Sequence, residues 1–530
     1  MRYTWSWESG SGGTFLKNGK AVNSFTQAEV NAGAISFKAS PSPNHSLNVS
    51  VTDSHGASNG WTLPLFDVAA LTPFGGSSQW FDGSPSDGIT ISYTFLQSVP
   101  SYYLGNANER NGFTPFSEAQ KAVTREILNN ISQFLKVSFV ETVDVHQSQL
   151  TFASIVHEAD TGAYAYFPKG KDASRFTTNG DIWFNVDYLY TPLTAGSFEA
   201  ASLIHEIGHA LGLPHPYPEG GSDDGDSPHY DVRHSVMSYN GFPDAEDAIA
   251  ISGISPESYM MDDIARLRQL YGATPKNTSD STYTFAQIGA KVLTLIDDGG
   301  HDAIDLRDAP YGISIDLSPG GLSTVWNNAA EDVAVDGNIG IAYDAVIEDA
   351  IGSPYDDYLF GNQAANVLAG GYGDDLLYPV TVPDDGIDYV FGGPGDDTIW
   401  LDSVDNVYLE GGDGQDKLHF AGAYLNLAEI TPDPETPTSI EVVDLSDPQA
   451  QELTINAVAI LDFGGGGASG NALQILGQSN DKVRIISGSY TKSIAHVNDD
   501  GIQLTLWHDA HNAQGDLLIQ TGVQVDIVFP

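Results

Sequence analysis

The 530-residue chain has no cysteine. That excludes a disulfide framework and leaves stability to apolar cores and bound metals. Positive charge is scarce as well: Lys and Arg total 21 against 70 Asp and Glu, a formal charge of −49. A surface of that sign repels phosphate backbones and anionic lipid, so no nucleic-acid partner is expected, and hard cations are favoured instead. No apolar run reaches the ~18 residues of a membrane-spanning helix. The N-terminal Met-Arg-Tyr-Thr-Trp-Ser-Trp-Glu lacks the apolar stretch of a secretory signal. This leaves a cytoplasmic protein, a shortened chain, or export by a route that does not read the N-terminus. What is plentiful is glycine, 56 residues, in a chain that is 41% hydrophobic. Such a chain is globular and rich in tight turns.

One stretch organises the rest. Residues 201–216 contain His205-Glu206-x-x-His209-x-x-Gly212-x-x-His215. On a helix His205 and His209 are four apart and share a face, so two imidazoles can grip one metal ion. Glu206 follows the first ligand, within reach of water at the metal. Gly212 can take a left-handed conformation, end the helix and let the chain return with His215 as third ligand. Three protein ligands leave a fourth position open, the pattern of a catalytic zinc site.

Four regions follow from the patterning. Residues 1–66 read as short strands, with period-two alternation in 34–39 and 47–52 and a turn at 53–56. Residues 67–276 read as an α/β unit around one mixed sheet. Its strands are expected at 89–95, 137–141, 149–153, 162–168 and 181–185. Its helices are expected from Ser117 to about Leu135, with Gln120 completing a capping box, from near Ser197, and from Ser255 to Tyr271, closed by Gly272. The whole is an α+β multidomain chain.

Residues 277–424 approach the repeat Gly-Gly-x-Gly-x-Asp-x-U-x of calcium-binding parallel β-rolls. Three copies carry Gly370, Gly371, Gly373 and Asp375, then Gly392, Gly393, Gly395 and Asp397, then Gly411, Gly412, Gly414 and Asp416. Degenerate copies at 352–360 and 361–369 precede them, the first with Asp357. The glycines make a turn whose carbonyls face a cation, the sixth residue adds a carboxylate and the apolar eighth enters the core. Two repeats make one coil, so ligands should recur every 18 residues. Asp357 to Asp375 is 18, but the next intervals are 22 and 19. The insertion at 379–385 is expected to break the ladder and limit the calcium ions to two or three. Residues 425–530 lose the repeat and read as a C-terminal β domain.

The block 67–276 closely resembles the serralysin family of metzincins, carried by 162–168, 180–188, the histidine motif with Pro216, Ser235-Val236-Met237-Ser238-Tyr239, and 261–273. The resemblance implies a metzincin-type protease domain. Tyr239 would be a further zinc ligand that swings off when substrate binds, and then a catalytic residue. Met237 would floor the zinc site. Ala163, Tyr164, Ala165 and Tyr166 would be the sheet edge that pairs with substrate backbone. It also implies a calcium site formed by Asp297, Gly299, Gly300, Asp302 and Glu348 with the linker 277–281, although Asn277, Ser279, Ser281 and Val346 depart from the family pattern. Residues 25–53 resemble the end of a cadherin-like repeat of bacterial surface proteins. The ending Asp526-Ile527-Val528-Phe529-Pro530 resembles the uncleaved signal of type I secretion.

These features imply a secreted, extracellular zinc endopeptidase, a monomer whose partners are protein or peptide substrates and a type I exporter. Glu206 would be the general base, and the calcium-bound roll would serve secretion and folding. A second reading is a calcium-dependent bacterial surface or adhesive protein carrying a processing protease.

Overall fold

The computed structural model describes the strands within 2–64, Trp80, and residues 88–104, 107–110, 112–156, 162–168, 177–186, 193–216, 231–240, 255–325, 327–328, 333–334, 336–379, 386–402, 407–427, 430, 439–460, 463, 472–486, 490–497, 502–509 and 516–528. The turn expected at 53–56, most of the insertion at 379–385, and residues 529–530 lie outside them.

Between Arg2 and Pro64 the strands form two antiparallel sheets. One contains Arg2–Trp7, Ser24–Thr26, Ser46–Thr52 and Ser58–Pro64; the other contains Gly13–Lys17, Lys20–Ala21 and Ile35–Ala39.

The next unit is a five-stranded mixed sheet. Its strands are β1 (Ile89–Phe95), β2 (Val137–Glu141), β3 (Leu150–Ile155), β4 (Ala163–Ala165) and β5 (Asp181–Asn185), ordered β4-β5-β3-β1-β2. All pair in parallel except β4, the antiparallel edge strand. β3 and β5 are buried at every position, as central strands covered on both faces must be. Helix α1 (Glu118–Phe134) starts at Ser117, with both halves of the expected capping box formed with Gln120, a cap that contributes about 1 kcal/mol. Its buried Leu128, Ile131 and Phe134 lie three apart on the face that meets the sheet. Helix α2 (Phe198–Ala210) is buried on nearly all sides and capped by Ser197.

Helix α3 spans Met261–Tyr271, not 255–271. The Ser255-Pro256 pair suggests a cap, but Ser255 N donates to Gly196 O and Glu257 N to Val292 O. That segment is tied to neighbouring chain, and the helix begins where the Asp263 carboxylate can accept from Met260 N.

From Thr282 onward the chain winds as a roll of two facing parallel sheets. One holds Thr282–Thr284, Ala303–Asp305, Asp349–Ile351, Val367–Ala369, Asp388–Pro394 and Val407–Asp413. The other runs from Ser314–Asp316 through Tyr358–Phe360, Leu376–Tyr378, Thr398–Leu401, Lys417–Phe420, Val442–Leu445 and Leu473–Gly477 to Leu517–Gln520. Parallel stacking therefore continues past residue 424. The apolar eighth residues of the repeats, Leu359, Leu368, Leu377, Ile399 and Leu418, are all fully buried between the sheets. The insertion does not break the ladder. Leu377 pairs with Ile399 and Leu368 with Val390 across it, because extra residues in a loop leave the strand register untouched.

The roll is joined to the α/β unit by polar contacts at α3. The Arg268 guanidinium, nearly buried, meets Asp298 at 2.8 Å and Asp344 at 2.6 Å, and Tyr343 OH donates to Asp262 at 2.6 Å.

Candidate active site

Helix α2 carries the ligand face. His205 Nδ1 lies 2.9 Å from Val236 O and His209 Nδ1 2.7 Å from Leu213 O. With Nδ1–H donating to a carbonyl, each ring keeps Nε2 as a bare lone pair. Gly212, at φ +100°, turns the chain after the helix and returns His215 to the same point. Its Nε2 lies 3.1 Å from that of His209 and 3.3 Å from that of His205. Four-coordinate zinc with Zn–N of about 2.05 Å separates its nitrogens by roughly 3.3 Å, so the three atoms fit one such ion. Among the described residues this is the one group of three or more His, Asp or Glu side chains with ligand atoms within 4.8 Å of one another. Burial drives the His205 pKa down to about 4 and holds that of His209 well below its ordinary value, the neighbouring imidazoles adding to it. Both rings are therefore neutral and ready to ligate.

Glu206 is buried on the same helix, and its Oε2 has no hydrogen-bond partner. Burial pushes its carboxyl up to about 8. With that oxygen open on the ligand helix, the side chain is placed to exchange a proton with water. Tyr239 stacks on His205 with ring centres 5.5 Å apart and lies 4.5 Å from the His215 ring. It is 57% exposed.

The floor is set by packing. Met237 is buried, and a Cβ on Gly208 would come within 2.6 Å of its Sδ. Glycine at 208 therefore lets the 235–239 turn close under the helix. That turn is pinned by Asp263 of α3. Its Oδ1 accepts from Ser235 Oγ at 2.6 Å, and its Oδ2 accepts from Val236 N at 2.7 Å and Met260 N at 3.0 Å. The C-terminal carbonyls of α2 are also met. Trp80 Nε1 donates to Ala210 O and Tyr271 OH to Leu211 O, which satisfies groups that a helix end leaves open.

At the sheet edge, Gly162 and Tyr166 bond inward to Asn185, Asp181 and Gly180. By the alternation of an antiparallel ladder, the backbone groups of Ala163 and Ala165 face the free edge. The side chains divide by face. Ala163 and Ala165 pack on the main core, while Tyr164 OH and Tyr166 OH both donate to Glu109 Oε1, at 3.0 and 2.8 Å. Beneath them, Asp181 accepts from Tyr102 OH, Tyr103 OH and Thr151 Oγ1 at 2.7–3.1 Å, and burial raises its carboxyl to about 7. Glu109, Asp181 and Asp263 were not singled out in the sequence. For Asp263 the signal was present, since an acid at the third position of a helix is a capping signature.

The repeat carboxylates form a ladder. Asp357 N donates to Asp375 Oδ1, Asp375 N to Asp397 Oδ1, Asp397 N to Asp416 Oδ1 and Asp416 N to Glu441 Oε2, at 2.8–2.9 Å. Asp375, Asp397 and Asp416 each leave Oδ2 buried without a partner. Burial and neighbouring acids raise these groups to about 8, 6 and 7. Gly371, Gly373, Gly393, Gly395, Gly412 and Gly414 have φ between +118° and +155°. Such turns, with orphaned anionic oxygens beside them, fit calcium. Hydrogen bonds tie the linker residues to their surroundings. Asp302 N donates to Glu348 Oε2 at 2.7 Å, Tyr283 OH to Asp297 Oδ2 at 2.6 Å, and Asp302 Oδ2 is unpartnered. Gly300 lets this loop approach the backbone of Ser279, 2.7 Å from where its Cβ would be, and Gly299 faces open space.

Residues 351–379 and 384–403 match the RTX calcium-binding nonapeptide repeat, in four copies. The chain is 31% identical over 313 residues to a serralysin of Photorhabdus laumondii, covering 54% of this chain and 62% of that one. It is 30% identical over 377 residues to metallopeptidase AprA of Pseudomonas marginalis, covering 66% and 74%. It thus spans about six-tenths of the first relative's length and three-quarters of the second's. A solved structure of myroilysin aligns with 37% of the chain at 16% identity and a TM-score of 0.22.

Proposed function

The chain belongs to the serralysin family of metalloproteases, and on that footing we propose that it is an extracellular zinc endopeptidase hydrolysing peptide bonds in proteins. The observation that carries the reading is the convergence of three imidazole Nε2 atoms on the helix that carries the open oxygen of Glu206. His205, His209 and His215 would hold the zinc, and the turns at 370–375, 392–397 and 411–416, with the linker set, would hold calcium. Zinc, when bound, supplies a Lewis acid that acidifies water and polarises a carbonyl.

The rest is done by the chain. Ala163 and Ala165 offer backbone donors and acceptors to an extended substrate, which fixes the peptide as an added strand. Glu206 takes the proton from the attacking water at Oε2 and delivers it to the leaving amine nitrogen as the C–N bond breaks. Tyr239 rotates toward the substrate and donates its hydroxyl hydrogen to the oxygen that gains charge. Met237 and Asp263 keep the floor in place. The proposed division is 1–66, a protease domain at 67–276, a roll at 277–424 and a C-terminal β domain at 425–530, the last carrying the signal for a type I exporter. The high charge keeps the protein a monomer and its roll open until calcium neutralises it.

The test is metal content by elemental analysis, paired with casein cleavage. One zinc per chain and cleavage lost to a zinc chelator are expected. Protein that holds no zinc, or cleaves unchanged without it, rules the reading out.

A further inference from the structure

Residues 352–369 form a coil of the roll by shape. Strands Tyr358–Phe360 and Val367–Ala369 stand in register with their neighbours, and Leu359 and Leu368 are buried between the sheets. The coil lies within the matched repeat region, yet its turns have a different chemistry.

In the first turn, the sixth residue is Asp357, and both of its oxygens are taken. Oδ1 accepts from Ile313 N and Ser353 Oγ, each at 2.8 Å, and Oδ2 accepts from Ser353 N at 2.5 Å. In the second turn the sixth residue is Asn366 and the second is Asn362. Asn366 Oδ1 accepts from Asn362 N at 2.7 Å, which fixes the orientation of the amide. Its Nδ2 donates to Glu348 O at 2.8 Å and to Asn362 Oδ1 at 3.0 Å. Asn362 Nδ2 donates to Leu317 O at 2.9 Å and to Ile347 O at 2.8 Å. Both asparagines are buried. The backbone differs too. The second and fourth residues of the three later turns are glycines with φ of +118° or more, whereas Ser353, Tyr355, Asn362 and Ala364 have no positive φ.

We infer that the coil 352–369 binds no calcium: the amides of Asn362 and Asn366 and the hydroxyl of Ser353 do the work that calcium does in the later turns. Calcium needs six to eight oxygens aimed at one point. Here the carbonyls of residues 317, 347 and 348 already receive N–H donors from Asn362 and Asn366, and an amide nitrogen is a donor, not a ligand for a hard cation. The coil next to the linker therefore keeps its wiring at low calcium and serves as the base on which the calcium-dependent turns, beginning at Gly370, stack.

The test uses the full chain with Asn366→Ala and, separately, Asn362→Ala. Bound calcium per chain is measured by equilibrium dialysis with elemental analysis, and the thermal midpoint is measured in EGTA and in millimolar calcium. Zinc content reports that each variant has folded. Both variants are expected to keep the wild-type calcium count, with midpoints several degrees lower in both media. Loss of one calcium ion per chain in either variant would overturn the inference. So would an unchanged midpoint in EGTA, because the amides would then hold nothing. If Asn366→Ala does not accumulate, Asn362→Ala alone decides, since it removes the bonds to Leu317 O and Ile347 O and leaves the Asn366 carbonyl oxygen in place.

Discussion

The histidine cradle and the repeat turns, the two kinds of metal site proposed above, are finished to different degrees by the protein itself. Around the cradle the second nitrogens of His205 and His209 are anchored on carbonyls, the floor is bolted by Asp263, and the C-terminal carbonyls of α2 are capped by Trp80 and Tyr271. The atoms left open are those that meet the metal or the water. In the turns at Asp375, Asp397 and Asp416 the protein stacks buried carboxylates one above another and leaves an oxygen of each unanswered. A site with its supports built in takes a metal for chemistry. A site that concentrates like charge takes one in order to fold.

Withdrawal of calcium should break this comparison most strongly. In EGTA the parallel strands beyond Gly370 should lose their β circular dichroism. The equivalent of about 4 kcal/mol disappears for each ion held at a thousand times its dissociation constant. A zinc chelator should leave the spectrum nearly unchanged. Equal sensitivity to both would remove the distinction.

Next in size is Glu206→Ala, expected to retain zinc and lose roughly 10²–10⁴-fold in kcat on casein. A variant with wild-type turnover would show that this carboxylate is not the base. Gly208→Val should force Met237 out of its seat, at a cost of about 1–3 kcal/mol. It should weaken zinc retention in a competition assay with a chromogenic chelator, although no ligand is touched. Glu109→Ala should loosen the edge strand by releasing the Tyr164 and Tyr166 hydroxyls. A several-fold rise in KM for long peptides with kcat little changed is expected, and Glu109→Gln should restore KM. A fall in kcat alone would place Glu109 elsewhere in the mechanism.

The most gradual effect is a pH slope, spread over about three pH units. Asp181 titrates near 7 when folded, against its ordinary 3.8, so the folded state binds the extra proton between those values. Stability should therefore fall as pH rises from 4 to 7, by up to about 1.4 kcal/mol per pH unit, and level off above. Asp181→Asn should flatten that part of the profile in thermal melts.

How far each region could be read from sequence follows from the reach of its interactions. The starts of α1 and α2 were legible because the bond from a capping serine spans three residues, and in α1 Gln120 completes a capping box. The start of α3 was misread because the Ser255-Pro256 signal is local, while the pairing that claims this segment reaches Gly196 and Val292. The broken ladder was misjudged for a related reason. Counting intervals of 18, 22 and 19 treats the chain as a ruler, but the Asp357–Asp375–Asp397–Asp416 ladder is set by strand stacking, and loops absorb the difference.

The sequence by itself determined the metal ligands, the base beside them and the glycine turns, because each is encoded within ten residues by the period of a helix or a repeat. Only the tertiary structure decided what supports them. Asp263 under the 235–239 turn, Glu109 behind the edge strand and the amides of Asn362 and Asn366 in the silent coil all act on partners between 15 and 57 residues away. No periodicity records such distances. They are fixed when apolar faces pack and each buried polar group must find whichever partner the packing brings to it.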